Sequence, residues 1–290
     1  MARPPTVVTS VGRGEGTVTV RAPTALHYCG DSHILVQSDA GEGGRNLKAV
    51  LLSLPSPGAP PLDAAALGGA LGTFLRSMHV WGSAGGGNRA LEQLLGGNAE
   101  ARRIWAWATY GRLAETADRF PALLAAYRPL FEEVAAAVTE AGEPAGGTLI
   151  HGDFWSGNIV LSPGYDVATV VDWEMARRGP VWCDLAQMCA ELYLPYHFYG
   201  VAAAVDLLDA FLRAYGPLDA DTARRLVVHF GVHLIVWPCR VVPSWGSGDP
   251  AVLDDCIRVG AEFVEHGWRR DWHWVRQQGV LRAVVNDEWI

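Results

Sequence analysis

The sequence has almost no lysine. Lys48 is the single lysine among 23 basic residues, and the others are arginines. Large basic clusters are also missing, since the basic groups are short pairs such as Arg177-Arg178, and the formal net charge is −8. Proteins that bind a nucleic-acid backbone neutralise its phosphates with clustered basic residues. The composition therefore argues against a nucleic-acid partner and mildly suits a cationic substrate.

Long apolar runs and paired cysteines are scarce as well. The longest apolar stretch, HLIVWPC at 233–239, is far shorter than the ~20 residues that a membrane helix needs. The N-terminal residues lack the apolar run of a secretory signal. The five cysteines show no CxxC pair and no metal-binding spacing with histidine, which is typical of buried thiols in a reducing compartment. We predict a cytoplasmic protein without a membrane partner.

The composition is that of a globular protein, and the sequence pattern differs between the first 40 residues and the rest of the chain. Half of the 290 residues are apolar and 19% are charged, which suits one large domain or two tightly joined lobes. The first 40 residues alternate short β-like runs with turns, as in GTVTVRAP and DSHILVQSD. From the capping residue Asp63 onward, apolar residues recur at helical spacing. Helices are predicted from Asp63 and at about 121–140, 181–194, 201–215, 221–236 and 250–266. The sequence therefore predicts an α+β fold with a small β-containing N-terminal part and a larger helical body.

A β-rich segment at about 159–171 interrupts the predicted helices and lies next to the candidate functional residues. NIVL reads as a strand, SPGYD as a turn and VATVV as a second strand, which together predict a hairpin. Antiparallel pairing then places Asn158 opposite Val171 or Asp172. An amide oxygen and a carboxylate at the open end of the hairpin can bind one hard cation. Asp153 lies on the loop that enters the hairpin, so three oxygen-bearing side chains are predicted to converge.

Phosphoryl transfer from a nucleotide needs such a set of groups. Mg²⁺ bridges the phosphates, and one carboxylate orients the acceptor hydroxyl and takes its proton. The spacing H-x-D-x4-N, followed by an aspartate at the end of a buried strand, is typical of protein-kinase-like enzymes. HGD in place of HRD and DWE in place of DFG point away from the protein kinases themselves. A lone HGD is common in turns, so the prediction depends on the whole combination.

These motifs resemble those of the aminoglycoside phosphotransferases and related small-molecule kinases. HGDFWSGN and DWE resemble the catalytic loop and metal-binding segment of that family, and DLAQMCAEL resembles the helix that follows. LGGALGTFLRSMHVWG resembles the first helix of the large lobe, and DSHILVQSDAGEGGRNLKAVL resembles the strand and hinge that join the two lobes. The resemblance covers about 25–290 and implies a protein-kinase-like fold.

The resemblance also implies a role for particular residues. Asp153 is the expected catalytic base, and Asn158 and Asp172 are expected to hold Mg²⁺. The backbone of the hinge is expected to meet the adenine of ATP or another nucleoside triphosphate, at Ser38, Asp39 and Ala40. Two further residues are expected to support the site structurally, namely His151 and Asp184.

Most of the small lobe of that family is missing from the sequence. In the family this lobe contributes a phosphate-covering loop, a strand lysine and a helix glutamate. Gly12, Gly14 and Gly16 suggest such a loop, but only 17 residues separate Gly16 from Ile34, too few for the lysine strand, a helix and another strand. Lys48 follows the hinge. We therefore predict a truncated small lobe and hinge strand at 1–40 and a helical large lobe with the catalytic hairpin at 41–290.

Three explanations of the missing lysine compete. The chain is shortened at its N-terminal end, or it binds ligand without turnover, or an arginine such as Arg13 or Arg21 replaces the lysine. Arginine differs from lysine in geometry. We favour the first explanation because the motif residues are intact. The predicted function is ATP- and Mg²⁺-dependent phosphorylation of a hydroxyl on a small molecule, and the alternative is a non-catalytic binding protein. The sequence identifies neither the acceptor nor the oligomeric state.

Two further pairs of residues have a functional and a structural interpretation. His229 and His233 lie four residues apart on a predicted helix, which suits metal ligands, but no third ligand accompanies them. Trp237 and Trp245 could form a cage for a cation. For both pairs the favoured interpretation is a place in the core, or in the lining of a pocket for the histidines.

Overall fold

A computed structural model of the chain describes residues 7–10, 17–56, 61–83, 98–140, 147–240 and 249–290. The strands are β1 Val7–Ser10, β2 Thr17–Arg21, β3 Ala25–Cys29, β4 Ile34–Gln37, β5 Arg45–Asn46, β6 Thr148–Ile150, β7 Ile159–Leu161, β8 Val167–Val170 and β9 Arg177–Gly179. The helices are α1 Leu47–Ser53, α2 Ala64–Gly82, α3 Ala99–Ala108, α4 Leu113–Arg119, α5 Pro121–Leu124, α6 Arg128–Glu140, α7 Trp182–Tyr199, α8 Ala202–Tyr215, α9 Ala220–Val236, α10 Pro250–Trp268 and α11 Trp272–Gln277.

The largest sheet is built around the predicted hairpin. Its strand order is β1-β2-β8-β7-β5, and β7 and β8 pair antiparallel with Ile159 opposite Val170. Strand β2 runs parallel to β8, with Thr19 opposite Val167, so the N-terminal strands share a sheet with the hairpin. The β-branched and apolar residues of the hairpin are buried in the core, which is why this segment forms strands within a helical body. The structure confirms the predicted α+β class and the predicted hairpin.

Strands β3 and β4 form a separate antiparallel pair ahead of the hinge. The predicted strand in DSHILVQSD corresponds to β4, whose Ile34, Leu35 and Val36 are 45–56% exposed. The chain then passes through residues 38–40 to β5 and α1. The division into segments 1–40 and 41–290 stays a prediction.

Helix α2 begins as the sequence predicts. The side chain of Asp63 accepts a hydrogen bond from the N–H of Ala66 at 2.9 Å, which caps the first turn. A Cβ atom on Gly68 or Gly72 would come within about 2.3 Å of a backbone oxygen of α8, so glycine permits the two helices to pack closely. The predicted apolar positions are all buried, namely Leu67, Leu71, Phe74, Leu75 and Met78.

The later helices follow the prediction with two differences. The helix predicted at about 121–140 forms as α5 and α6 with a 3₁₀ turn at 125–127 between them. The helix predicted at 181–194 continues as α7 through Pro195 to Tyr199 and ends at Gly200, which has a φ of 67°. Helices α8, α9 and α10 agree with their predicted ranges to within two residues. Helices α3 and α4, which the sequence analysis did not predict, pack with α6, α9 and α10 around a second core.

All five cysteines are free thiols. Cys29 is partly exposed, whereas the other four are buried as predicted: Cys183, Cys189, Cys239 and Cys256. In the part of the chain that the structure describes, no helix has the length and apolar character needed to cross a bilayer.

Candidate active site

The candidate site is built on the loop 151–158, which joins β6 to β7. Gly152 in this loop has a φ of 81°, and a Cβ atom at this position would lie 2.2 Å from the carbonyl oxygen of Met175. Both the conformation and the space therefore require glycine. The tight contact fixes the residue before Asp153 against the segment that follows Asp172.

Two side-chain amides hold the carboxylate of Asp153. Gln187 Nε2 donates to Oδ1 at 2.6 Å, and Asn158 Nδ2 donates to Oδ2 at 3.1 Å. Burial raises the pKa of Asp153 above its ordinary value, although the hydrogen bonds from Gln187 and Asn158 and the nearby His151 act in the opposite direction. The result is an oriented, partly buried carboxylate with more than the usual affinity for a proton, which suits a general base.

The hairpin brings Asn158 next to the start of the DWE motif. The carbonyl of Asn158 accepts a hydrogen bond from the N–H of Val171 at 2.9 Å, which confirms one of the two predicted pairings. Asp172 follows directly, with a left-handed backbone (φ 67°, ψ 60°) and an exposed side chain. Aspartate tolerates this conformation better than most residues. Asn158 and Asp172 therefore lie at the same end of the hairpin, as predicted.

The oxygens at this end have the chemistry that suits Mg²⁺. The amide nitrogen of Asn158 donates to the carboxylate and, at 3.0 Å, to the carbonyl of Asp153, so its amide oxygen remains as an acceptor. No cluster of three or more His, Cys, Asp or Glu side chains suited to a metal occurs among the residues that the structure describes. Mg²⁺ at nucleotide sites usually needs only one or two carboxylates, because substrate phosphates and waters complete its shell. Asn158 and Asp172 thus fit that ion.

Asp184 lies beneath the loop and is fully buried. Its Oδ1 accepts the backbone N–H of Gly152 and its Oδ2 that of His151, both at 2.8 Å. His79 on α2 donates from Nε2 to the same Oδ2 at 3.1 Å. Burial alone would raise the pKa of Asp184, but the hydrogen bond and charge of His79, with His151 and Gly152, outweigh it and lower the pKa. Asp184 is therefore an ionised brace that joins α2, α7 and the loop.

His151 connects the loop to the hairpin. Its Nε2 donates to the carbonyl of Val171 at 3.0 Å, and its Nδ1 accepts the N–H of Asp153 at 3.3 Å. Its ring lies 4.5 Å from that of Trp173, between centroids. Burial lowers the pKa of His151, with Asp184 opposing, which favours the neutral imidazole. The His151 ring thus links the backbone of Asp153 to the backbone of Val171, the residue that precedes Asp172.

The predicted hinge also lies against the hairpin. Ser38 donates its N–H to the carbonyl of Thr24 at 2.8 Å, and the carbonyl of Ala40 accepts the hydroxyl of Thr169 at 3.1 Å. Thr169 is a buried residue of β8, three positions before Asp172. The structure therefore brings the hinge and the hairpin side by side.

Several residues that contact the loop were not predicted from the sequence. Gln187 follows Asp184 by one helical turn on α7, and this spacing could have indicated that both residues face the loop. Lys48, on the first turn of α1, places its Nζ 5.2 Å from the centroid of the Trp155 ring. Burial lowers the pKa of Lys48, and the charge of Glu191 opposes this. No periodic signal could have predicted that contact.

Glu191 is a buried carboxylate one turn beyond Gln187 on α7. Its Oε1 contacts Nε2 of His233 at 2.9 Å, while its Oε2 has no hydrogen-bond partner among the described residues. The hydroxyl of Ser156 in the loop is likewise buried without such a partner there. His229, the other histidine of the predicted pair, contacts the Tyr110 hydroxyl in the core at 3.1 Å. Three features singled out in the sequence lie outside the described residues: Gly12–Gly16, Arg13 and Trp245.

The chain belongs to a family of phosphate-transferring enzymes. Residues 15–227 match the family described as "Phosphotransferase enzyme family", which confirms the predicted membership.

Similar curated proteins carry related names. One is "Phosphotransferase FrzJ" from Cladobotryum sp, 24% identical over 269 residues, which cover 88% of this chain and 67% of that protein. Another is "4-hydroxytryptamine kinase" from Psilocybe cyanescens, 24% identical over 264 residues, which cover 86% of this chain and 67% of that one. The chain thus spans about two thirds of the length of these relatives.

Solved structures with a similar arrangement have kinase or phosphotransferase in their titles. One is a choline/ethanolamine kinase family protein from Mesorhizobium loti (16% identity, TM-score 0.45, covering 90% of this chain and 78% of that one). Another is spectinomycin phosphotransferase APH(9)-Ia in complex with ADP and spectinomycin (14% identity, TM-score 0.44, covering 77% and 68%).

Proposed function

We propose that this protein is an ATP- and Mg²⁺-dependent O-phosphotransferase that phosphorylates a hydroxyl group of a small molecule. The observation that carries the proposal is the meeting of Asp153, Asn158 and Asp172 at the open end of one hairpin. Membership of the phosphotransferase family supports it. The free state of all five cysteines agrees with a cytoplasmic location.

Asp153 is the proposed catalytic base. Its carboxylate is oriented by Gln187 and Asn158, and burial raises its pKa. A positioned carboxylate of this kind aligns the acceptor hydroxyl and takes its proton as the phosphoryl group is transferred. Asp184 and His151 act only through the loop, since each binds its backbone or the adjoining strand. We assign both residues a positioning role.

Asn158 and Asp172 are the proposed Mg²⁺ ligands. Bound Mg²⁺ would neutralise the charge of the nucleotide phosphates, which is the main electrostatic demand of a loose phosphoryl-transfer transition state. The nucleotide base is assigned to the hinge at Ser38, Asp39 and Ala40. The backbone N–H groups of Asp39 and Ala40 make no hydrogen bond to any described residue, which leaves donors for an adenine ring.

The acceptor is assigned to the wall formed by α7. Glu191 lies one helical turn from Gln187, which contacts Asp153, and Oε2 of Glu191 is buried without a partner among described residues. A buried carboxylate of this kind favours a ligand with a positive group. The similar curated protein named 4-hydroxytryptamine kinase carries an amine in the name of its substrate. We therefore propose a hydroxylated amine as the acceptor.

A second candidate function is ligand binding without turnover. The observation that favours it is the position of Lys48, which lies on α1 beside Trp155 rather than on a strand over the nucleotide phosphates. Such a protein would bind Mg²⁺ and ATP but release no ADP.

The test is ADP release with a panel of hydroxylated amines and sugars, combined with thermal stabilisation by Mg-ATP. We expect turnover by the wild-type chain and a loss of at least a hundredfold in Asp153→Ala, in line with the ~10²–10⁴-fold contribution of a general base. The melting temperature of the variant should change little, because Asp153 is partly exposed. Turnover within tenfold of the wild type would overturn the base assignment. Stabilisation by Mg-ATP with no ADP release would instead support the binding protein.

A further inference from the structure

A large cavity outside the candidate active site is lined by arginines. It has a volume of about 1110 Å³ and lies between the C-terminal half of α2, helix α3 and residues 177–183. Asp153, Asn158 and Asp172 do not line it. The charged residues of its described lining are six arginines and two aspartates: Arg76, Arg102, Arg103, Arg177, Arg178, Arg225, Asp219 and Asp221. This is a concentration of positive charge in a chain whose net charge is −8.

Some of these arginines form ion pairs with acidic neighbours, whereas others contact only neutral groups. Arg225 pairs with Asp221 at 2.8 Å, and Arg103 pairs with Glu100 at 2.6 Å. In contrast, Arg76 donates to the carbonyl of Tyr215 at 2.6 Å, and Arg177 to that of Met175 at 3.0 Å. A carbonyl fixes a guanidinium without cancelling its charge. Within the described ranges neither of these two arginines makes an ion pair, and neither does Arg102.

Arg177 is the buried member of the set. It is 3% exposed, and its guanidinium carbon lies 5.5 Å from the centroid of the Trp105 ring. The indole face and the carbonyl of Met175 hold the side chain in one place. A buried cation without an anionic partner is costly, so this position favours the binding of an anion from outside.

Two contacts lead from the cavity to the loop of Asp153. The Nη1 atom of Arg177 lies 2.2 Å from the place where a Cβ atom of Gly152 would be, so the guanidinium rests against that residue. His79 also lines the cavity, and it donates to Asp184, which holds the N–H groups of His151 and Gly152. A ligand that draws on Arg177 or His79 therefore acts on residues adjoining Asp153.

We propose that this cavity binds a phosphate-bearing small molecule and that the bound anion regulates the catalytic loop. The guanidinium fork matches two phosphate oxygens at once, and several forks around one cavity suit an anion with more than one charge. The volume is that of a metabolite site rather than of a single inorganic ion. Binding is independent of the proposed transferase activity, whereas the regulatory part rests on it.

The experiment uses pyrophosphate as the probe, without Mg²⁺, so that the nucleotide site has no metal to recruit it. Titration calorimetry on the full chain should detect binding, and hydrogen exchange should show protection at 99–106 and 177–183. The double variant Arg76→Gln/Arg102→Gln should bind at least tenfold more weakly. Arg276→Gln, an exposed arginine that pairs with Asp287 away from the cavity, is the matched control and should bind as the wild type does.

Absence of binding, or equal affinity in the double variant, would overturn the site. Tighter binding of citrate than of pyrophosphate would overturn the assignment to phosphate in favour of a carboxylate ligand. For the regulatory part, saturating pyrophosphate should change turnover at least twofold in the wild type but not in the double variant. Turnover that is unchanged with the cavity saturated would refute regulation and leave the binding site standing.

Discussion

Asp184→Asn tests whether the carboxylate of Asp184 holds the loop that carries Asp153. In the wild type one carboxylate oxygen accepts from His79 and His151 and the other from Gly152. Asparagine has only one side-chain oxygen, which can accept from both His79 and His151. Its NH₂ group, which is a donor, then faces the N–H of Gly152. One hydrogen bond to a charged group is lost, at roughly 1.5–3 kcal/mol, and a buried donor is left unpaired, at roughly 1–3 kcal/mol. The free energy of unfolding should fall by about 3 kcal/mol or more.

For a domain of this size each kcal/mol corresponds to roughly 2–4 °C, so the melting temperature should fall by about 6 °C or more. Differential scanning calorimetry measures this directly. ADP release should fall more than tenfold, because Gly152 adjoins Asp153. The effect on stability depends on pH with a fixed sign. The pKa of Asp184 is lowered in the folded chain, so its stabilisation is complete above the ordinary pKa and disappears as the pH falls through the lowered value. The difference between variant and wild type should therefore shrink below about pH 4.

The control is Asp287→Asn, which removes an exposed carboxylate that pairs with Arg276. Its melting temperature should stay within about 1 °C of the wild type, since exposed ion pairs contribute little. An Asp184→Asn chain that melts like this control, or that keeps full turnover, would refute the view that Asp184 positions the loop.

Three other measurements test the site and the core. Asp172→Ala should weaken Mg-ATP binding at least tenfold, whereas Asp166→Ala, in the exposed turn of the same hairpin, should leave it unchanged; equal effects would contradict the metal role. Gln187→Ala removes a hydrogen bond that lowers the pKa of Asp153, so that pKa should rise. Because the base must be unprotonated, the acidic limb of the pH–rate profile should move to higher pH. Gln277→Ala is the control, and a limb that does not move in Gln187→Ala would contradict a role for this hydrogen bond. A thiol-reactive dye should modify one cysteine in the native chain, Cys29, whose pKa is lowered by hydrogen bonds from Ser32. Fast reaction of a second cysteine would contradict the burial that raises the pKa of the others, namely Cys183, Cys189, Cys239 and Cys256.

The sequence was sufficient to predict what depends on local pattern. The hairpin followed from two short β-branched runs around a glycine-containing turn, and its register placed Asn158 beside Val171 as the structure does. The start of α2 followed from Asp63 and the apolar spacing behind it. These elements were predictable because each is fixed by neighbours within a few residues along the chain.

What could not be predicted depends on contacts between distant segments. The helix predicted at about 181–194 continues through Pro195, because a proline removes only one of its many hydrogen bonds and burial of α7 outweighs that loss. The parallel pairing of β2 with β8 joins residues almost 150 positions apart. The arginine-lined cavity likewise brings together residues from six separate segments, none of which forms a large basic cluster in the sequence.

Among the described residues, the hydrogen bonds that hold the loop of Asp153 come from the part of the chain that follows the hinge. Its loop is held by Asp184 from α7, by His79 from α2 through that carboxylate, and by His151 from the strand end at Val171. None of these supports belongs to the strands that precede residue 40. The orientation of the proposed base and the proposed binding of the nucleotide at the hinge are therefore separable properties. A change at the hinge that lowers nucleotide affinity should leave the Asp153 contacts with Gln187 and Asn158 intact, whereas a break at Asp184 should disturb them whatever nucleotide is bound.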